Sequence, residues 1–241
     1  MTTGDHQDKV AASLEEDLRR KTGHEGLRLA CELHRMIGGF DTETYAFRLH
    51  GAPDTLNGDL VLRLFRASDP SDRVRFESTI QEAMATRSYP APGVPLDTAG
   101  REIMGRPYLV MRRLPGRSLL ELMLAGPADS SDDHGAELLA RTQARLHGLS
   151  ATEAMIALAR AGLDPSMHTP FRLLTDIQEL GQATGDRILI ELGRWLEDRR
   201  PPEPEVERVC HGDFHPGNML VENMQATGVI DWTNVAFGHV E

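Results

Sequence analysis

Lysine is nearly absent from this chain: only Lys9 and Lys21 occur, and every other basic side chain is an arginine. Basic residues are also outnumbered, 26 against 37 acidic ones, which gives a formal net charge of -11. Binding to nucleic acid requires clustered cations that displace the counterions of the phosphates. The charge balance therefore argues against a nucleic-acid partner, and it favours a cationic small molecule.

Cysteine and long apolar runs are scarce as well. Cys31 and Cys210 are the only cysteines, and their separation fits neither a disulfide framework nor a zinc site. The N-terminal residues MTTGDHQDKV are polar, and no stretch approaches the roughly 18 apolar residues that span a bilayer. We expect a cytoplasmic protein with no membrane partner, and the sequence leaves the oligomeric state open.

The first half of the chain alternates between helical and strand patterns. Val10, Leu14 and Leu18 recur at helical spacing and predict an amphipathic helix over residues 8–22. Short segments with alternating or β-branched residues then predict strands at 33–37, 43–49, 59–65 and 108–111, with a helix at 71–88. These elements predict a small antiparallel sheet lobe that carries one main helix.

From Leu114 onward the periodicity is mainly helical, with helices predicted at 117–124, 130–149, 151–161, 171–181 and 186–199. The proline-rich stretch PPEPEVE at 201–207 then ends helix formation, because proline lacks the amide proton. We therefore predict an α+β fold of two lobes. Residues 1–113 form the sheet lobe, and residues 114–241 form the helical lobe.

The strongest chemical pattern follows that proline break. The HGDFHPGN loop (residues 211–218) places Asn218 five residues after Asp213, and the VIDW segment (229–232) places Asp231 thirteen residues further on, after a short hairpin. Phosphoryl transfer needs one carboxylate that orients the attacking hydroxyl and accepts its proton, and an amide oxygen and a second carboxylate that hold magnesium. This order of residues is the order of the kinase fold.

HGDFHPGN followed by VIDW resembles the Brenner-type motif of the aminoglycoside phosphotransferase and choline kinase superfamily. The resemblance implies a bilobal, protein-kinase-like fold that transfers the γ-phosphoryl group of ATP or GTP to a hydroxyl of a small molecule, with Mg²⁺ as cofactor. It implies that Asp213 is the catalytic base and that Asn218 and Asp231 are magnesium ligands. His211 would stabilise the loop, and His215 would either stabilise the loop or contact phosphate.

Two further segments resemble the family's nucleotide-binding elements. Gly38 and Gly39 lie where the family has a glycine-containing turn, whose small residues let backbone amides approach the phosphates. A simple hairpin turn would look the same. The segment from Tyr108 to Gly116 resembles the last strand and hinge of the lobe, so the resemblance assigns Arg112 and Leu114 to contacts with the nucleotide base.

The resemblance also requires a cation on the strand Leu60–Phe65 that pairs with the phosphates and with a helix glutamate. Kinases use lysine there, whereas this strand offers Arg63. Arginine stays charged and binds phosphate through its planar fork, but it is bulkier than lysine. Among the helix residues we favour Glu82 as its partner, with Glu77 as the competitor, because Glu82 lies beside apolar helix positions.

Three other considerations define the alternatives. About sixty residues separate His147 from Asp213, an insertion that resembles small-molecule kinases more than protein kinases.

The chain ends ten residues after Asp231, and because the family continues into further helices we expect an apparently truncated C-terminus. Two other functions remain: a kinase-like module that binds nucleotide without turnover, and a metallophosphoesterase, which Gly212–His215 superficially resembles.

Overall fold

The computed structural model describes residues 3–36, 42–98, 100–125, 132–202 and 205–239. Within these ranges the chain forms seven α-helices, which include all the helices predicted above. Their bounds are α1 Thr3–Thr22, α2 Ser71–Thr86, α3 Leu119–Ala125, α4 Asp132–His147, α5 Thr152–Arg160, α6 Pro170–Thr184 and α7 Arg187–Glu197. One short 3₁₀ turn, Pro165–His168, connects α5 to α6.

The described residues also form twelve short strands. Their bounds are β1 Arg28–Leu29, β2 His34–Arg35, β3 Glu43–Phe47, β4 Leu49–His50, β5 Leu60–Leu64, β6 Glu102–Ile103, β7 Arg106–Arg112, β8 Arg117–Ser118, β9 Arg208–Cys210, β10 Met219–Glu222, β11 Gln225–Val229 and β12 Ala236–Gly238. The main sheet is antiparallel with the order β2-β3-β5-β7-β6. Mixed helices and sheets of this kind confirm the predicted α+β class.

Helix α1 covers one side of the main sheet because its apolar residues form one stripe. Val10, Leu14 and Leu18 are fully buried, and they pack in one core cluster with Leu60 and Leu62 of the central strand β5. A stripe at spacing i, i+4, i+8 is the pattern of a helix that buries a single face. The first helix is thus an integral part of the sheet region.

The second core cluster surrounds the end of the chain. Trp232, which follows the hairpin β10–β11, is fully buried and packs with Phe76, Ile80 and Met84 of α2. The helix that the sequence places in the sheet lobe therefore packs mostly against residues of the second half. A lobe boundary between residues 113 and 114 stays a prediction.

Helices α6 and α7 form a hairpin that approaches closely at two glycines. A Cβ at Gly181 would lie 3.0 Å from the Ile190 amide nitrogen, and a Cβ at Gly193 would lie 2.8 Å from the Gln178 Cγ. Small residues are required where two helix backbones approach this closely. None of the helices in the described ranges is long and apolar enough to cross a membrane.

Candidate active site

Two antiparallel strand pairs bring the HGDFHPGN loop next to the VIDW segment. Strand β9 enters the loop and pairs with β12, and β10 leaves the loop and pairs with β11. Met219 is opposite Val229 in this register, and the Ile230 amide donates a hydrogen bond of 2.9 Å to the Asn218 carbonyl. The strand register therefore places Asp231 beside Asn218, although thirteen positions separate them.

Asn218 also fixes Asp213, five residues earlier. Its amide nitrogen Nδ2 donates to the Asp213 carbonyl (3.0 Å) and to the Asp213 carboxylate oxygen Oδ2 (3.2 Å). Because both donor contacts use the nitrogen, the amide oxygen Oδ1 faces away from Asp213 and can contact a cation. The Asp213 side chain is 44% exposed, so a substrate hydroxyl can reach its carboxylate.

Asp231 adopts a left-handed backbone conformation with φ of 67°. Aspartate tolerates this region better than most residues, and the Thr233 hydroxyl donates a hydrogen bond of 3.0 Å to Asp231 Oδ1. The carboxylate is 39% exposed. Our sequence reasoning missed Thr233, although a hydroxyl residue two positions after an aspartate is a recognisable local turn signal.

His211 is buried and connects the HGDFHPGN loop to the VIDW segment. Its Nε2 lies 3.1 Å from the Ile230 carbonyl, and its Nδ1 accepts a hydrogen bond of 3.3 Å from the Asp213 amide. Burial lowers the pKa of His211. A carbonyl only accepts and an amide only donates, so the neutral ring with its proton on Nε2 satisfies both partners.

Gly212 and His215 fix the remaining loop backbone. Gly212 has φ of 79°, and a Cβ there would overlap the Asn234 carbonyl, so this position accepts only glycine. The His215 Nδ1 accepts a hydrogen bond of 3.0 Å from the Gly217 amide, and its Nε2 lies 3.7 Å from Asp213 Oδ1. Both expectations for His215 stay open, since one nitrogen contacts the loop and the other faces the carboxylate.

Arg63 of β5 lies between two carboxylates. Its guanidinium donates to Glu77 of α2 in a short ion pair and lies 3.5 Å from Asp231 Oδ1. The Arg63 side chain is only 10% exposed and lies over the Phe65 ring at 5.4 Å. The single cation therefore connects the central strand, the helix α2 and the VIDW segment.

Glu77 is completely buried in this arrangement. Burial raises the pKa of Glu77, and the Arg63 charge opposes that effect. Its second oxygen, Oε2, has no hydrogen-bond partner among the described residues, and neither does Oε1 of the buried Gln81 one turn further along α2. Unpaired buried acceptors are costly, so the Glu77 carboxylate depends on Arg63 for compensation.

The prediction that Glu82 pairs with Arg63 is wrong. Five residues along a helix correspond to a rotation of about 140°, so Glu82 and Glu77 lie on different faces of α2. The Glu82 carboxylate accepts a hydrogen bond of 2.7 Å from the Val94 amide instead. Glu82 also lines a cavity of about 460 Å³ between α2, α5 and the chain near Val94.

The other residues predicted to contact the nucleotide either lie outside the described residues or contact other parts of this chain. Gly38 and Gly39 lie outside the described residues. The Arg112 guanidinium is bonded to the carbonyls of Thr55 and Asn57, and its own backbone amide donates to the Gly93 carbonyl. Leu114 packs over Gly228 of β11. The Arg112 side chain thus holds a loop of the sheet region, and a contact of this segment with the base stays a prediction.

Few side chains of the site could bind a metal ion. The described residues contain no group of three or more histidine, cysteine, aspartate or glutamate side chains that could hold a metal ion. Asn218 and Asp231, the two predicted magnesium ligands, lie next to each other through the hydrogen bond from the Ile230 amide to the Asn218 carbonyl, and their roles as ligands stay predictions. Few protein ligands, supplemented by water and substrate phosphates, are typical of Mg²⁺ sites.

Comparison with known proteins supplies the family. The sequence model of the phosphotransferase enzyme family matches residues 32–241, most of the chain. The chain belongs to the phosphotransferase enzyme family. This assignment confirms the predicted family of small-molecule phosphotransferases.

Solved structures of the family have the same fold. Macrolide 2'-phosphotransferase MphH from Brachybacterium faecium aligns over 92% of this chain and 73% of its own, with 24% identity and a TM-score of 0.59. A thermostable mutant of aminoglycoside phosphotransferase APH(4)-Ia, solved with AMP-PNP and hygromycin B, aligns over 94% of this chain and 73% of its own, with 22% identity and a TM-score of 0.56. The predicted kinase-like fold is confirmed.

A curated relative is much longer than this chain. Acyl-CoA dehydrogenase family member 11 of Gallus gallus is 27% identical over 173 residues. The match covers 69% of this chain and 22% of that protein. The chain thus spans about a fifth of the length of this relative.

Proposed function

We propose that this chain transfers the γ-phosphoryl group of a nucleoside triphosphate to a hydroxyl group of a small molecule. The observation that carries the proposal is the joint placement of Asp213, Asn218 and Asp231, with Arg63 in contact with Asp231. The macrolide and aminoglycoside phosphotransferases that share the fold support this reaction class.

Asp213 would orient the acceptor and receive its proton. The acceptor oxygen forms a new bond to the γ-phosphorus, the bond from that phosphorus to the bridging oxygen breaks, and the hydroxyl proton passes to the Asp213 carboxylate. The Asn218 amide holds this carboxylate through its Nδ2. Asp213 thereby keeps one orientation, while its other oxygen, Oδ1, lies 3.7 Å from His215 Nε2 on a side chain that is 44% exposed.

The remaining residues would neutralise the triphosphate. Asn218 Oδ1 and the Asp231 carboxylate fit a magnesium ion, which when bound offsets charge on the phosphates. Arg63 supplies the fixed positive charge of this site, and its ion pair with Glu77 determines where that charge lies. Thr233 keeps the Asp231 carboxylate oriented by donating to Oδ1.

The acceptor and the base are the finer parts of the proposal. The net charge of -11 favours a cationic acceptor, and hygromycin B, which is bound in the APH(4)-Ia structure, suggests aminoglycosides as the first class to try. Either ATP or GTP can supply the phosphoryl group. We propose a cytoplasmic location, where these nucleotides are available.

A screen of hydroxylated metabolites and antibiotics, with magnesium and either ATP or GTP, tests the function. We expect nucleoside diphosphate release that depends on one acceptor class and that is lost in the Asp213→Asn variant. Asp198→Asn, an exposed aspartate at the end of α7, is the matched control and should retain the activity. Nucleoside diphosphate release that depends neither on the acceptor nor on Asp213 would contradict the proposal.

One observation favours a second candidate, a module that binds nucleotide without turnover. Arg63 replaces the expected lysine and contacts Asp231, so the cation competes with magnesium for that carboxylate. Tight binding of a triphosphate analogue with no phosphorylated product for any acceptor would favour this alternative. Product formation at an enzymatic rate would exclude it.

A further inference from the structure

One aromatic pair connects α2 to the turn that precedes α6. The rings of Phe76 and His168 are stacked, with centroids 3.7 Å apart and planes inclined by 16°. Phe76 is almost fully buried. Burial lowers the pKa of His168, although Asp164 opposes the shift, so the imidazole is neutral near pH 7. It therefore packs on Phe76 as an uncharged aromatic ring.

The turn that carries His168 is fixed at both ends. It is a 3₁₀ turn, Pro165–His168, and the Asp164 carboxylate accepts hydrogen bonds from the Ser166 amide (3.0 Å) and hydroxyl (2.8 Å). At the other end, the Thr169 hydroxyl oxygen accepts a hydrogen bond of 3.2 Å from the Arg172 amide where α6 begins. His168 thus presents a fixed plane to α2.

Phe76 directly precedes Glu77, the residue that holds Arg63. Neighbouring residues of a helix point about 100° apart, so one side chain faces the His168 turn while the next faces strand β5. Because the two residues are adjacent on one helix, a rotation of α2 that moves Glu77 relative to Arg63 also moves Phe76 relative to His168. Glu77 is buried, and its Oε2 has no hydrogen-bond partner among the described residues. Its ion pair with Arg63 therefore depends on the position and rotation of α2.

We propose that His168 is a positioning residue for triphosphate binding: its stack on Phe76 holds α2 at the rotation in which Glu77 pairs with Arg63. The inference rests on the proposed function, because it assigns Arg63 to the phosphates. It goes further in giving His168, which lies 105 positions after Arg63 along the chain, an effect on phosphate affinity. That effect acts through Arg63 alone and does not reach the base.

The first test compares two substitutions at this position. His168→Ala removes the stack, and we expect it to weaken binding of the AMP-PNP–magnesium complex about five- to tenfold in calorimetry while adenosine affinity is unchanged. His168→Phe keeps a stacking ring and should restore the affinity. Phe171→Ala is the control: this ring of the same region packs on Arg200, and its loss should leave AMP-PNP affinity unchanged. If the chain prefers guanine, the guanosine analogues replace these ligands.

A double-mutant cycle separates positioning from general destabilisation. In an Arg63→Ala background, His168→Ala should cause no further loss of AMP-PNP affinity, because the residue through which it acts is gone. Additive losses, equal losses for adenosine, or unchanged affinity in His168→Ala would overturn the inference. The same data isolate the proposed function: binding with the expected cycle but no product contradicts only that function, whereas a wild-type chain that binds neither analogue contradicts both.

Discussion

The two sides of the site are built by different means. The HGDFHPGN loop and the VIDW segment are held by backbone hydrogen bonds, by a left-handed aspartate and by a glycine that has no room for a side chain. The Arg63 side is held by side chains from distant elements, through a buried ion pair and the packing of α2. Local sequence spacing therefore specifies the first side, whereas helix packing decides the second.

The largest effect is expected from a substitution in the HGDFHPGN loop. Asp213→Asn keeps the shape of the side chain but removes the proton acceptor, so we expect phosphoryl transfer to fall about 10²- to 10⁴-fold while triphosphate affinity changes little. Steady-state rates and calorimetric titration measure the two quantities. Residual transfer within threefold of wild type would remove Asp213 from the mechanism.

Gly212→Ala breaks the loop by geometry alone. The new Cβ would overlap the Asn234 carbonyl and φ is positive, so we expect a loss of about 3 to 5 kcal/mol in the free energy of unfolding. Gly162→Ala is the matched control, since Gly162 has nearly the same φ of 78° but nothing within 4 Å of a Cβ. It should lose only about 1 to 2 kcal/mol. Equal losses in urea unfolding would mean that the overlap is relieved at no cost.

Acid should weaken the sheet region through Glu43. Burial raises the pKa of Glu43, but hydrogen bonds from Arg106, Tyr45 and His6 outweigh it and lower the pKa to about 2 from 4.5. A depressed folded-state pKa gives stability that is present above pH 4.5 and is lost as the pH falls towards 2.

We therefore expect Glu43→Gln to lose on the order of 2 kcal/mol at neutral pH and to show a flatter decline of stability in acid. Urea unfolding of both proteins at several pH values gives the comparison. Parallel stability curves for wild type and variant would show that the Glu43 contacts contribute nothing in solution.

The smallest expected effect distinguishes the two glutamates of α2. Glu77→Gln removes the charge that holds Arg63, and we expect about a tenfold loss of triphosphate affinity. Glu82→Gln serves as the control: the Glu82 carboxylate accepts a hydrogen bond from the Val94 amide and not from Arg63, so its replacement should leave that affinity within about twofold. If Glu82→Gln is the more damaging change, Glu77 is a structural residue and the assignment of the phosphate side fails.

The comparison also explains what the sequence could predict. Spacing along the chain predicted that Asp213, Asn218 and Asp231 lie close together, as the structure places them, because a short hairpin has few possible registers. Their chemical roles stay predictions. It did not identify the partner of Arg63, because that choice depends on the rotation of α2, which the packing of Phe76, Ile80 and Met84 in the second core cluster determines. The packing of α2 against Trp232 was hidden for the same reason, since 146 positions separate that tryptophan from Thr86, the end of the helix.

The fate of the phosphoryl group tests the central claim most directly. The protein is incubated with magnesium, nucleoside triphosphate and the acceptor that stimulates diphosphate release, and the products are identified by mass spectrometry. The account predicts one phosphorylated acceptor for each diphosphate released, and about 10²- to 10⁴-fold slower formation of that product with Asp213→Asn. Stoichiometric release of free inorganic phosphate with an unmodified acceptor, or a phosphorylated acceptor formed equally well by Asp213→Asn, would contradict it.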